Sequence, residues 1–141
     1  MKFDWSEYFI LAKNLAGKTT PTLPTEEAKL RSSMSRAYYA VHRTAHNFLR
    51  DIEKDSNLPA SGEAHTYIIT KFRASSIIGR KDIGNRLNRL KINRSRADYY
   101  DEISGLSSTC DASILDASKA IASLHSLRQP PPASPTTETK K

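Results

Sequence analysis

The sequence predicts an all-α protein: an antiparallel bundle of four to five helices over residues 1–128, followed by a disordered Pro-rich tail over 129–141. Three observations predict it. Apolar residues recur at steps of three and four through most of the chain, which is the period of a helix with one buried face. No stretch keeps the period-2 alternation of a half-buried strand. Only five glycines occur in 141 residues, too few for a chain built from tight turns.

Each element follows in order. Residues 3–16 space Trp5 and Phe9, then Leu11 and Leu15, four apart, and Gly17 ends this first helix. Lys18 to Pro24 is a loop. Thr25 can cap a long second helix, with Glu26 and Glu27 in the first turn against the positive helix end. Its stripe runs through Leu30, Met34, Ala37, Val41, Ala45, Phe48 and Ile52, with no further Gly or Pro until Pro59. The turn cluster 57–62 precedes a shorter third helix, 64–77, carrying Tyr67, Ile68, Phe72 and Ile77. A fourth runs from Lys81 to Asp101 on Ile83, Leu87, Leu90 and Ala97, weakened by Gly84. Ser108 with Asp111 resembles a capping box opening a fifth helix, whose stripe is Ile114, Ala117, Ile121 and Leu124 and which ends near Leu127. The last segment holds four of the seven prolines and nothing to bury.

Composition narrows the function. The length suits one domain. Mean hydropathy is −0.58, and no run approaches the roughly 18 apolar residues of a membrane helix. Asp4 and Glu7 stand where a signal peptide needs a basic start and an apolar run. The single cysteine, Cys110, cannot form an internal disulfide, which makes a reducing cytoplasm the expected location. Net charge is +7, and residues 71–96 contain nine Lys and Arg against Asp82 alone. Positive charge so concentrated favours an anionic partner, nucleic acid first, over a merely solvated helix face.

The second helix is as regular on its polar side. Ser32, Arg36, Tyr39, Arg43, His46 and Arg50 are spaced by fours and threes, so at about 100° per residue they share one face. Guanidinium forks grip phosphate oxygens and an aromatic ring stacks on a base. This makes Arg36, Tyr39, Arg43 and Arg50 candidate RNA contacts, joined by Arg94 and Arg96 of the basic segment. Arg94 falls on the apolar stripe of its helix, where a charge needs a partner or a cleft. Asp98, four residues on, can form a structural ion pair with it; a ligand-binding role for Arg94 is the alternative. Other chemistries lack their residues. There is no Gly-rich phosphate loop, no Gly-x-Ser-x-Gly elbow and no paired carboxylates. His42 and His46 lack a third metal ligand, so no metal site and no cofactor is expected, and histidine must carry any proton transfer.

Ser35-Arg-Ala-Tyr-Tyr-Ala-Val41 on a long second helix, followed by Arg94-Ser-Arg-Ala-Asp-Tyr-Tyr-Asp101 on a later one, resembles the HEPN domain family. It is most similar to the small prokaryotic branch with S-R-x-Y-Y-A-x-F-H and R-x-x-A-D-Y segments. The likeness covers about residues 3–127. It implies an antiparallel helical bundle, commonly a homodimer through the long helices. It also implies metal-independent endoribonuclease activity or a place in toxin–antitoxin and defence systems, often beside a nucleotidyltransferase-type antitoxin. Within this resemblance Arg36 and His42, with five residues between them, match the family's loose active motif of arginine and histidine. Against the closest branch, however, His42 occupies the Phe position and Arg43 the His position, while Ala37 replaces a polar residue common in the ribonucleases.

Two expectations remain open. In one, the chain is an RNA-cleaving HEPN protein with Arg36 as its catalytic arginine and His42, or His46 on the polar face, as the proton-transfer residue. In the other it is a non-catalytic HEPN module that binds RNA, a nucleotide or a nucleotidyltransferase-like protein.

Overall fold

A computed structural model describes residues 2–128. The segment expected to be a disordered tail, 129–141, lies outside the described residues. All regular structure among the described residues is helical: α1 Glu7–Leu15, α2 Glu26–Asn47, a π turn Phe48–Ile52, α3 Ala64–Arg73, α4 Ile78–Tyr99 and α5 Leu106–Arg128. The all-α bundle expected from the sequence is therefore the observed fold.

The core is formed by α2 to α5. Arg31 near the start of α2 reaches Ala97 and Tyr100 at the end of α4, whereas Glu53 just beyond the π turn meets Arg80 at the start of α4. These helices are antiparallel. Thr66 with Lys91, and Arg73 with Asn85, make α3 antiparallel to α4 as well. Asn93 with Ser113, and Arg86 with Asp116, do the same for α5. It follows that α2, α3 and α5 run one way and α4 the other. Because α3 follows α2 in the same direction, residues 53–63 must lead the chain back along the bundle. Asp55 pins this return by accepting from Tyr67 Oη at 2.7 Å and lying 3.5 Å from Lys71 Nζ.

Local chemistry explains most boundaries. Thr25 Oγ1 accepts from the Ala28 N–H at 3.2 Å, the expected cap. Gly17 takes φ +75° after α1, and the Lys18 N–H bonds back to Lys13 O. The α2 stripe is buried from Met34 through Phe48, but Ile52 is 45% exposed instead of continuing it. The cause is the π turn. Its wider i→i+5 bonding lets the adjacent Phe48 and Leu49 both face inward and turns later residues off the stripe.

Four further expectations are corrected. The first helix starts at Glu7 rather than near residue 3, because Phe3 and Trp5 extend ahead of it. The third ends at Arg73, and Ile77 and Ile78 lie exposed at the start of α4. Ser108 is inside α5, where its hydroxyl donates to Gly105 O, so it is not a cap. Ile114 is 50% exposed; the inward face of α5 is Cys110, Ser113, Asp116, Ala117, Ala120 and Leu124. Two polar residues on that face hid it from a reading based on hydrophobicity. Asp116 is tolerated there because Arg86 and Arg89 both donate to its carboxylate, at 2.8 and 2.9–3.0 Å.

Gly84, a poor helix former inside α4, is required where it stands. A Cβ there would lie 2.6 Å from the backbone N and the side-chain Cγ of Arg73. The missing side chain is what lets the end of α3 close on α4.

Candidate functional site

The basic segment 71–96 is largely neutralised once the chain folds. Lys71 pairs with Asp55, Arg80 with Glu53, Arg86 with Asp82 and Asp116, Arg89 with Asp116, and Arg94 with Asp98. Five of its nine cations are thus spent on carboxylates, four of them (Glu53, Asp55, Asp98 and Asp116) outside the run. Arg96 is half-buried and lies about 200° round α4 from Arg94, so the two cannot serve one site.

The line on α2 keeps its charge. Arg36 and Arg43 are exposed, and neither has a carboxylate within pairing distance among the described residues. Tyr39 between them is 38% exposed. Arg50 belongs to the π turn, and its guanidinium forks onto the carboxylate of Asp51 at 2.7 and 3.0 Å. Arg36 also lines a cavity of about 240 Å³ between α1 and α2, bounded by Tyr8, Leu15, Ser32, Ser35 and Asp98.

Beside this line, α2, α3 and α4 bring together a cluster of rings that neither the charge run nor the arginine line indicated. Tyr38 and His42 are one turn apart on the inner side of α2. His65, the second residue of α3, lays its imidazole parallel to that of His42, with ring centres 4.1 Å apart and planes within 1°. The Tyr38 ring is nearly parallel to both, 5.5 Å from His42 and 5.7 Å from His65, and its hydroxyl is hydrogen-bonded to His65 Nδ1. Tyr39 stands edge-on to the two imidazoles at 6.2 and 6.1 Å. From α4, the Arg94 guanidinium lies over Tyr38 at 5.2 Å and Tyr39 at 5.6 Å, and its Nη1 donates to Asp98 at 3.3 Å. The Arg94–Asp98 ion pair expected from spacing is present, and it holds Arg94 against the rings.

Electrostatics separate the histidines. His42 is 4% exposed, and its buried Nδ1 has no hydrogen-bond partner among the described residues. Burial first, then His65, Arg43, His46 and Arg94, hold its pKa down to about 4, so it is neutral at physiological pH. His65 is half-buried, and burial, Arg94 and Lys91 lower its pKa too. Two imidazolium rings 4.1 Å apart would repel by about 4 kcal/mol at an effective dielectric constant near 20. The stacked pair therefore carries one positive charge at most around neutrality. Burial also pushes the Tyr38 phenol up to about 12, leaving it an uncharged hydroxyl. His46 sits at the edge, 6.5 Å from His42, and its Nδ1 lies 3.2 Å from the Asn47 side-chain oxygen.

No protein-family model matches this chain, and no curated protein or solved structure is similar to it. The geometry therefore stands on its own. It gathers His42, Tyr39, Arg94 and Asp98 in one place, with Arg43 beside His42 and His46 at the edge. Arg36 is left apart: six residues before His42, it stands nearly two turns away along α2 and about 120° round it. No hydrogen bond or ring contact joins it to either stacked histidine among the described residues. Asp98 both lines the Arg36 cavity and accepts from Arg94. His65 is the member the sequence reading missed. It lies three residues before Ile68 and seven before Phe72, a polar residue on an apolar stripe, the same signal that singled out Arg94. Among the described residues no group of three or more His, Cys, Asp or Glu could hold a metal ion, and no helix is long and apolar enough to cross a membrane.

Proposed function

We propose that this chain is a cytoplasmic, HEPN-type RNA-binding protein that cleaves RNA without a metal. In this reading the exposed Arg36, Tyr39 and Arg43 of α2 take the phosphate backbone and a base, and the ring cluster beside them supplies proton transfer. The observation that carries the reading is the meeting of the two motif segments. Tyr38 and Tyr39 of Ser35–Val41 pack under Arg94, which in turn is held by Asp98 of the same Arg94–Asp101 segment. Residues that resemble one family in two separate stretches thus form a single polar cluster next to unpaired arginines, where phosphate binding and proton transfer need them. A homodimer through the long helices would place two such faces together, and a nucleotidyltransferase-type antitoxin is the partner expected for a toxin of this kind.

A second reading, a non-catalytic module binding RNA, a nucleotide or a protein, is favoured by one observation. His42, the motif histidine, is buried and neutral. Incubating the purified protein with total RNA in EDTA, beside an Arg36→Ala control, separates the two. Cleavage by the parent that the control lacks supports the nuclease. Binding without cleavage leaves the module, and failure to bind RNA at low salt turns the search toward a protein partner.

A further inference from the structure

We propose that His65 is the proton-transfer residue of this site and that Tyr38 positions it, an assignment that rests on the ribonuclease reading above. Among the histidines near the arginine line, His65 is held in a fixed orientation by three neighbouring rings, with a nitrogen left over. Tyr38 Oη engages Nδ1, the flat face of His42 supports the ring at 4.1 Å, and Tyr39 borders it edge-on at 6.1 Å. Its backbone is in the first turn of α3, a rigid element rather than a loop. Nε2 makes no hydrogen bond among the described residues. His42 has the reverse character, closed in on every side, and acts as the support.

The groups facing His65 are Tyr38, Tyr39 and His42 from α2 and Lys91 and Arg94 from α4, with Thr66 adjacent on α3. None is a carboxylate. The imidazolium form therefore gains no counter-ion, and the resting ring is neutral, as a general base requires. In the tautomer this assignment requires, Nδ1–H is donated to the Tyr38 oxygen and Nε2 carries the lone pair. It takes the proton of a ribose 2′-hydroxyl as the 2′-oxygen bonds to phosphorus. The bond from phosphorus to the 5′-oxygen breaks, and that oxygen takes a proton from water. The products are a 2′,3′-cyclic phosphate and a 5′-hydroxyl, and His65 returns its proton to solvent. Lys91, whose charge acts on His65, and the exposed Arg43 of α2 would meet the phosphate.

The test uses the full chain, an end-labelled RNA oligonucleotide and EDTA. His65→Ala and His65→Gln, each checked for unchanged circular dichroism, should cut at least 100-fold more slowly while binding RNA within twofold of the parent by fluorescence anisotropy. Parent products should carry the cyclic phosphate. Tyr38→Phe keeps the ring packing and removes the oxygen that accepts from Nδ1, so the acidic limb of the pH–rate profile should move to lower pH. If the parent cuts and both His65 variants cut within threefold of it, the assignment is wrong and the ribonuclease reading survives. An unmoved pH profile for Tyr38→Phe removes Tyr38 from its positioning role. A parent that binds RNA and never cuts it overturns the ribonuclease reading and this assignment together.

Discussion

The imidazole of His42 lies flat against that of His65, ring centres 4.1 Å apart and planes within 1°. Residues 23 positions apart in the chain thereby tie α2 to α3 through two titratable rings. The buried member has given up its proton to be there, so folding and protonation are linked.

Stability should consequently fall in mild acid. His42 has a folded pKa of about 4, against about 6.5 for an unperturbed histidine. Between those values the unfolded chain binds a proton that the native one excludes, and stability rises with pH there. The contribution is complete above about pH 6.5 and is lost as pH falls toward 4. It amounts to at most about 3 kcal/mol, and His65, lowered as well, acts in the same direction. Melting temperature followed from pH 7.5 to pH 4 should drop for the parent. His42→Phe, which keeps an aromatic ring in the stack, should flatten that dependence.

Arg31 should prove indispensable to the fold. It is fully buried and lies against the edge-to-face pair Phe3 and Trp5, 4.4 and 4.9 Å from their ring centres. Nη1 donates to Ala97 O and Tyr100 O at 2.9 and 2.7 Å, Nη2 to Asp101 O at 3.2 Å, and Nε to Glu27 at 2.9 Å. It closes the C-terminal end of α4 with the donors that helix lacks. Arg31→Ala should cost roughly 3–5 kcal/mol, because it strands those carbonyls and leaves a cavity. Arg31→Lys should not rescue it, since one ammonium cannot span the positions a guanidinium fork reaches. Urea midpoints measure both.

The two glycines near the start of α4 should respond with opposite signs. At Gly84 an added methyl meets the backbone of Arg73. Gly84→Ala should therefore destabilise by about 1–3 kcal/mol despite the better helix propensity. At Gly79 nothing lies within 4 Å of the added carbon, so Gly79→Ala should be neutral or stabilise by up to about 1 kcal/mol. Equal effects at the two sites would mean that the α3–α4 approach is not as close as described.

These residues also show what the sequence made legible. The stripes of α2 and α4 were readable because apolar residues recur along them at helical spacing even though Arg31, His42 and Arg80 are buried beside them. Arg94, the polar residue on the stripe itself, was a signal by its oddity. The α5 face was not, since Ser113 and Asp116 occupy inward positions that only their partners Asn93, Arg86 and Arg89 make acceptable. Spacing could place Arg36 and Arg43 on one face of α2, because that is a property of a single helix. It could not place His65 against His42, because that contact depends on a loop that returns α3 along α2. Nor could it reveal that most of the basic segment is neutralised, since Glu53, Asp55 and Asp116 come from elsewhere in the chain.

That last difference gives a test of where nucleic acid binds. If RNA follows raw charge, Arg86 and Arg89 should matter as much as Arg36 and Arg43. In the folded protein they do not offer the same thing. Arg86 and Arg89 share Asp116 and stitch α4 to α5, whereas Arg36 and Arg43 are exposed and unpaired among the described residues. A phosphate meeting the first pair must displace an existing carboxylate; at the second it finds free donors. Affinity for a single-stranded RNA oligonucleotide should fall steeply with salt, and each of Arg36→Ala and Arg43→Ala should weaken it and lower the log–log salt slope by about 0.7, one phosphate contact. Arg86→Gln and Arg89→Gln should leave that slope unchanged and lower the melting temperature, because each removes a donor from the buried carboxylate of Asp116. The reverse pattern, with the α4 variants losing the salt dependence and the α2 variants keeping it, would move the nucleic-acid face to α4 and leave the arginine line of α2 without an anionic partner.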